Sequence, residues 1–241
     1  MKIRIFGRGF NYSQDGRGNR LVYHLKGCNM HCPWCSNPEG MSFDGECTEA
    51  DVADIINEAV RAKPMFFDGG GVTFTGGEAT AQAQALLQAL MGLKNEGIDT
   101  AIETNGTSDA LAELLPYIDR LMIDLKHPDS EKLRRVTGVG NAMTVKNIAA
   151  ALSEGKDVVV RIPLINGFNN DPEAFSGFAE ILGRINAENL RVEVLKYHEY
   201  GSDKWKKLGL EYKMKDAFVT DDDREALENT LKRIGINVIR T

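Results

Sequence analysis

Short apolar runs along the 241-residue chain alternate with stretches in which apolar residues recur every three or four positions. The runs at 21–25, 72–75, 100–103, 120–124, 158–163 and 191–195 carry Val, Ile, Thr or Tyr and predict strands, with a further one at 237–240. Between them, Val52, Ile55, Ile56, Ala59 and Val60 mark one helix, and Leu86, Leu87, Leu90 and Leu93 a second. Phe175, Phe178, Leu182 and Ile185, then Leu227, Leu231 and Ile234, mark two more. Strands separated by helices pair in parallel, because each crossover returns the chain in the same direction. Six such units fall short of the eight that close a barrel. The expected fold is therefore α/β: a partial, TIM-like (β/α)6 barrel, an open parallel sheet with outer helices. With no repeat, linker or low-complexity stretch, residues 1–241 read as one domain.

Composition narrows the class. A chain with 42% hydrophobic and 27% charged residues can bury a full core. No apolar run approaches a membrane span. The net charge of -6 comes from interspersed acids and bases, which argues against a broad nucleic-acid surface. The opening Met1-Lys2-Ile3-Arg4-Ile5-Phe6-Gly7 does not read as a secretory signal, and four cysteines in a chain of this length are a poor disulfide framework. A reducing cytoplasm is the expected compartment.

Chemistry enters with Gly27-Cys28-Asn29-Met30-His31-Cys32-Pro33-Trp34-Cys35-Ser36-Asn37. Three soft thiolates on one short loop are one too few for a fully protein-ligated four-iron cluster, so one iron stays open to a ligand that is not protein. Structural zinc is the competing reading, but it prefers a closed set of two ligand pairs, and the second pair is missing. Cys47, in a polar stretch, reads as a bystander thiol or an extra ligand.

In a parallel α/β barrel the chemistry gathers where strands end. The triplet follows the first predicted strand. Thr75-Gly76-Gly77-Glu78, Glu103-Thr104-Asn105-Gly106 and Asp124-Leu125-Lys126 end the next three, Arg161 lies within the fifth, and Lys196-Tyr197-His198-Glu199 follows the sixth. Gly76 and Gly77 let backbone approach a ligand and Glu78 can accept from an ammonium; the same residues also suit a capped strand-to-helix turn. Glu103 and Asp124 suit a hard cation or ribose hydroxyls, or helix capping and ion pairs. Lys126 and Arg161 can meet a carboxylate or sit solvated. His198 can contact a nucleoside, shuttle a proton, or simply hydrogen-bond within its loop.

The triplet, with an aromatic residue just before its third cysteine, resembles the signature of the radical S-adenosylmethionine (radical SAM) superfamily. In that superfamily the open iron is chelated by the amino and carboxylate groups of S-adenosylmethionine. Further motifs narrow the likeness: Asp15-Gly16-Arg17-Gly18-Asn19-Arg20 before the first strand, Thr75-Gly76-Gly77-Glu78-Ala79, Met122-Ile123-Asp124-Leu125-Lys126, and Tyr197-His198-Glu199-Tyr200-Gly201 to Trp205. Over nearly its whole length the chain is similar to the activating enzymes of glycyl radical enzymes. The resemblance implies a [4Fe-4S] cluster on Cys28, Cys32 and Cys35. It also implies a S-adenosylmethionine site: Trp34 and Ser36 at the adenine, Gly76, Gly77 and Glu78 at the methionine amino group, and Asp124, Leu125 and Lys126 with Arg161 and His198 around the rest. A monovalent cation is implied at Glu103, Thr104, Met122 and Asp124, with Glu103 standing where the family has aspartate. Asp15, Gly16, Arg17, Gly18 and Asn37 match substrate-binding positions. The implied reaction is reductive cleavage of the cofactor to a 5'-deoxyadenosyl radical, which takes a hydrogen from a glycine Cα of the partner. In such a reaction the cofactor carries the hard chemistry and the protein binds, orients and excludes water.

The absence of a cysteine-rich insertion places the chain with the compact activases, which implies flavodoxin or ferredoxin as electron donor, with the activase itself a monomer. The implied partner is pyruvate formate-lyase or a related glycyl radical enzyme. Arg17 replaces the proline of the family's Asp-Gly-Pro-Gly loop, loosening the backbone and adding charge, which suits a different partner or is neutral. The rival reading is a small-molecule radical SAM enzyme of the 7-carboxy-7-deazaguanine synthase type; the segment from His198 to Trp205 speaks against it.

Overall fold

The computed structural model describes residues 1–185 and 187–240. Its elements, in chain order, are β1 (Lys2–Tyr12), β2 (Asn19–Leu25), β3 (Thr48–Asp51), α1 (Val52–Ala62), β4 (Gly71–Gly76), α2 (Ala83–Asn95) and β5 (Thr100–Thr104). There follow α3 (Leu111–Leu114), β6 (Arg120–Asp124), α4 (Ser130–Thr137), α5 (Ala142–Ser153), β7 (Asp157–Leu164), α6 (Pro172–Ile185), β8 (Arg191–Lys196), α7 (Ser202–Lys207), α8 (Asp221–Arg233) and β9 (Asn237–Ile239). Among the described residues nine strands are hydrogen-bonded in one mostly parallel sheet, in the order β3-β1-β2-β4-β5-β6-β7-β8-β9, in keeping with the expected open α/β architecture.

Two compact units divide the chain. The first comprises Met1–Asn29, Asn37–Thr104 and Ser108–Met122. Its strands run in the order β3-β1-β2-β4-β5, with β1 antiparallel to both neighbours and β2, β4 and β5 parallel. Val72, Phe74, Ala101 and Ile102 are fully buried, as parallel strands covered on both faces must be. Val52, Ile55 and Ala59 of α1 and Leu86, Leu90 and Leu93 of α2 turn into this core, the faces that their spacing predicts.

The second unit comprises Met30–Ser36, Asn105–Thr107 and Ile123–Thr241. Here β7, β8 and β9 pair in parallel. Val158, Val160, Ile162 and Val192 are fully buried, as are Phe178 and Leu182 of α6 and Leu227 and Leu231 of α8. Ile234, expected in that core, is 46% exposed, because α8 ends at Arg233 and the chain turns away at the cap. Helix α4 buries only Leu133 and Thr137 and is held at its start instead: Asp129 accepts from the amides of Glu131 (2.8 Å) and Lys132 (3.0 Å).

Candidate active site

In the first unit the strand-end loops hold one another. The Gly27 amide donates to Gly40 O (2.8 Å) and the Cys28 amide to Met41 O (3.0 Å), while Gly27 O accepts from the Glu78 amide (2.8 Å). The backbone that presents Cys28 is thus clamped from two sides. The fit requires glycine at 77: a Cβ there would lie 2.3 Å from Gly40 O and 2.4 Å from Gly27 O. Beneath the clamp, Lys26 is buried and donates to Glu39 O (2.6 Å), and Gln82 donates to Lys26 O (3.0 Å) and Arg4 O (2.8 Å).

Glu78 takes the capping role and more. Its Oε1 accepts from the Thr80 amide (2.9 Å), the Thr80 hydroxyl (2.6 Å) and the Thr104 hydroxyl (2.6 Å), and Glu103 Oε2 accepts from Thr75 (2.7 Å). Two of the expected cation ligands are therefore tied into a hydrogen-bonded net over the ends of β4 and β5. Met122 is buried on β6. Cys47, whose role the sequence leaves open, accepts from Arg4 Nε (3.3 Å).

The loop 15–18 joins β1 to β2. Gly18 sits at a φ of +72° with Phe67 O, Gly70 N and Asp68 O where a side chain would be, so only glycine fits. Thr73 Oγ1 donates to Asp15 O (2.7 Å), and Asp15 also accepts from Asn11. Arg20, a residue to which sequence reasoning gave no role, is fully buried under this loop. It donates to Thr73 Oγ1 (2.7 Å), Val72 O (2.8 Å) and Arg17 O (3.3 Å), and pairs with Asp99 at 2.8 Å. Burial pulls its guanidinium below the ordinary value while Asp99 pulls the other way, and an arginine stays charged through such a shift. Arg17 itself is exposed, and Asn37 lies at the start of a short turn, its carbonyl accepting from the Gly40 amide (2.9 Å).

In the second unit, residues 32–35 form a tight turn closed by the Cys35 amide on Cys32 O (3.1 Å). Cys32 is buried and Cys35 half-buried, and none of the four cysteines is disulfide-bonded. Trp34 packs on Phe168, centroids 4.7 Å apart, against Ile165, Tyr197 and Ala217. Cys35 O accepts from the Trp205 indole (2.9 Å), and Gly201 approaches so closely that a Cβ would be 2.3 Å from that oxygen. The segment from Tyr197 to Trp205 thus braces the third cysteine of the triplet. His198 stacks on Tyr200 (4.1 Å), and burial lowers its pKa. Tyr197 shares a hydrogen bond with Tyr212 (2.8 Å), and desolvation raises both phenols.

Asp124 and Lys126 pair with each other at the end of β6, and the Leu125 amide donates to Arg161 O (2.9 Å). Lys126 O accepts from Asn169 (2.8 Å), a fully buried residue that also donates to Pro163 O. Arg161 pairs with the buried Glu193 on β8 (2.9 Å). Glu193, Asn169, Phe168 and Tyr212 have no role in the sequence reading. Only Glu193 leaves a trace there, as an acid inside an apolar strand. Ser36 is half-buried beside Gly201.

Soft thiolates on a loop whose backbone is fixed at Cys28 and again at Cys32 and Cys35 fit an iron-sulfur cluster, which needs no closed ligand shell from protein. Comparison with known proteins agrees. The radical SAM superfamily pattern matches residues 22–179. The pyruvate formate-lyase-activating enzyme of Clostridium pasteurianum is 34% identical over 224 residues, covering 91% of this chain and 93% of that one. Its Staphylococcus aureus (strain USA300) counterpart is 33% identical over 220 residues, covering 87% and 86%. Among solved structures, a domain of the pyruvate-formate lyase-activating enzyme from Bacteroides vulgatus superposes with a TM-score of 0.59 at 26% identity, covering 71% of this chain and 98% of that one. The chain belongs to the radical SAM superfamily, as an oxidoreductase of the pyruvate formate-lyase-activating type whose cofactors are a [4Fe-4S] cluster and S-adenosylmethionine.

Proposed function

We propose that this enzyme installs the radical of a glycyl radical enzyme, pyruvate formate-lyase or a close relative, by removing a hydrogen atom from a glycine Cα. The observation that carries the reading is the likeness to enzymes named for that activation over almost the full length of both chains. When bound, the cluster and S-adenosylmethionine supply the one-electron chemistry.

The residues of this chain hold and orient. Cys28, Cys32 and Cys35 ligate the cluster, the first from the clamped Gly27-Cys28 backbone and the other two from the turn that Trp205 braces. Trp34 and Ser36 line the adenine side. Gly76, Gly77 and Glu78 face the methionine amino group, and Asp124, Leu125, Lys126, Arg161 and His198 complete the cofactor site. Because Arg161 already meets Glu193, its part is to fix the end of β7 and to share its charge between that partner and the cofactor. His198, held toward the neutral form by burial, is suited to contact a nucleoside without adding charge. Glu103, Thr104, Met122 and Asp124 hold a monovalent cation. The loop 15–18, stiffened by Arg20, receives the glycine segment with Asn37. The electron arrives from flavodoxin or ferredoxin, and the enzyme works as a cytoplasmic monomer.

The test is isotopic. Pyruvate formate-lyase prepared with α-deuterated glycine and incubated anaerobically with the reduced holoenzyme and S-adenosylmethionine should yield deuterated 5'-deoxyadenosine. Cofactor cleavage with no deuterium transferred, together with turnover of a small-molecule substrate, would move the assignment to the 7-carboxy-7-deazaguanine synthase type.

A further inference from the structure

Strand β1 is built like a receptor for another strand. Its first residues, Lys2 to Ile5, pair with β3 on one side, but from Gly7 to Tyr12 the strand pairs only with β2. Among the described residues no strand lies along its outer edge there. An exposed edge of this length is a liability that proteins usually blunt with proline or charge. Here the one charged residue, Arg8, is drawn to Glu58 (2.9 Å), and no proline interrupts the strand.

Two features point outward. Gly7 and Gly9 lie on the same face of β1, two positions apart, where a glycine costs strand stability. Gly7 adjoins the bulge in the β1–β2 pairing, which suits a glycine, and a Cβ there would make only ordinary contact with His24 at 3.6 Å; nothing inside the molecule demands Gly9, where a Cβ would meet no atom within 4 Å. This contrasts with Gly18, Gly70 and Gly77, where backbone atoms leave no space. A glycine such as Gly9, inside a strand and without an internal reason, leaves room for another backbone to approach. On the opposite face Phe10 packs on Phe66 and Tyr12 stacks on Phe67, and Phe10, Tyr12, Met65 and Phe67 are each about half exposed. This apolar rim runs directly into the loop 15–18, since Tyr12 pairs with Asn19 across the turn.

We propose that residues 7–12 of β1 receive an extended segment of the glycyl radical enzyme as an added strand. The incoming side chains fill the space above Gly7 and Gly9 on one face, and the aromatic rim anchors the other. Main-chain hydrogen bonds then supply affinity and the two faces supply selectivity. The inference rests on the activase reading, and its continuity with the substrate loop is what selects a protein partner over a second copy of this chain.

Hydrogen exchange of the reconstituted holoenzyme, with and without pyruvate formate-lyase, reads the edge directly. Amides in 7–12 should gain protection on addition of the lyase. Gly9→Val should fold with equal or higher thermal stability, lose that protection, and raise the KM for the lyase by about tenfold; Phe10→Ser should act in the same direction. Unchanged protection, an unchanged KM in Gly9→Val, or protection that depends on the concentration of this chain alone would overturn the proposal. Deuterium transfer to 5'-deoxyadenosine with no protected edge would remove the edge and keep the activase; a protected edge with no transfer would do the reverse.

Discussion

Arg20→Met removes a guanidinium that no solvent reaches and leaves its acceptors behind. The two short bonds, to Thr73 Oγ1 at 2.7 Å and Val72 O at 2.8 Å, end on buried atoms, so water cannot replace them. Charge-assisted bonds of this kind contribute about 1.5–3 kcal/mol each. The Asp99 side chain is 40% exposed as a whole but its Oδ1, which faces the guanidinium, is buried, so water relieves only part of the loss there. Methionine restores most of the apolar stem. Together these set the expected loss at about 3–4 kcal/mol, near the lower part of the range for breaking a buried pair. Arg20→Lys should fall between, because an ammonium cannot serve a fork of acceptors, and Asp99→Asn, which leaves the buried guanidinium with neutral acceptors only, should cost about 1–3 kcal/mol. The assay is anaerobic urea unfolding of the cluster-free protein followed by far-ultraviolet circular dichroism, with the KM for the glycyl radical enzyme measured on the reconstituted form. Arg17 O and Thr73 lose their tie, so the loop 15–18 loosens and that KM should rise while S-adenosylmethionine binding persists. A stability within about 0.5 kcal/mol of the unmodified protein, the range of an ordinary surface change, would show that the buried guanidinium does not hold these acceptors.

Cys32→Ala should leave the circular dichroism of the folded chain intact and abolish the full [4Fe-4S] spectrum on reconstitution; retention of four irons per chain would remove Cys32 from the ligand set. Gly77→Ala forces a methyl group to within 2.3 Å of Gly40 O, so the clamp on Cys28 must open; iron incorporation and S-adenosylmethionine affinity should both drop, and wild-type values for both would contradict the clamp. His127 is buried, its Nδ1 accepts from the Asp129 amide (2.9 Å) and its Nε2 meets Phe168 O (3.1 Å), which fixes the neutral Nε2-protonated tautomer. Burial lowers its pKa, so the unfolded chain takes up the proton first, and stability should fall as pH drops below about 6.5. His127→Gln should lose this part of the pH dependence between the ordinary histidine range and the lowered one; a pH profile superimposable on the unmodified protein would count against the assigned tautomer.

Much of the scaffold is legible in the chain because parallel strands and their covering helices carry strong periodic signals. Strands β2 and β4 to β8 lie where the apolar runs put them, within a residue or two at each end, and α1, α2, α6 and α8 bury the faces their spacing marks. Strand β1 was not, because Gly7 and Gly9 interrupt its alternation, and β3 is a four-residue polar segment that pairs only because β1 presents an edge. Helix α4 buries too little apolar surface to announce itself and depends on its Asp129 cap, and α5 is built largely of small residues.

Of the site, the chemistry-bearing residues could be read from their order behind the triplet. Their supports could not. Arg20, Gln82, Asn169 and Glu193 act through contacts that close only after folding, between residues 30 to 80 positions apart such as Arg161 and Glu193 or Arg4 and Gln82. A buried polar side chain in an apolar strand is the one clue that sequence offers to such a support, and Arg20 and Glu193 both show it.

Electron paramagnetic resonance reads the product radical itself. The chain is reconstituted without oxygen, reduced with dithionite or reduced flavodoxin, mixed with S-adenosylmethionine and pyruvate formate-lyase, and frozen for spectroscopy while 5'-deoxyadenosine is quantified. A glycyl doublet on the lyase should grow in step with 5'-deoxyadenosine. Vigorous formation of 5'-deoxyadenosine with no protein radical, on pyruvate formate-lyase or on any related glycyl radical enzyme, would contradict the activase reading.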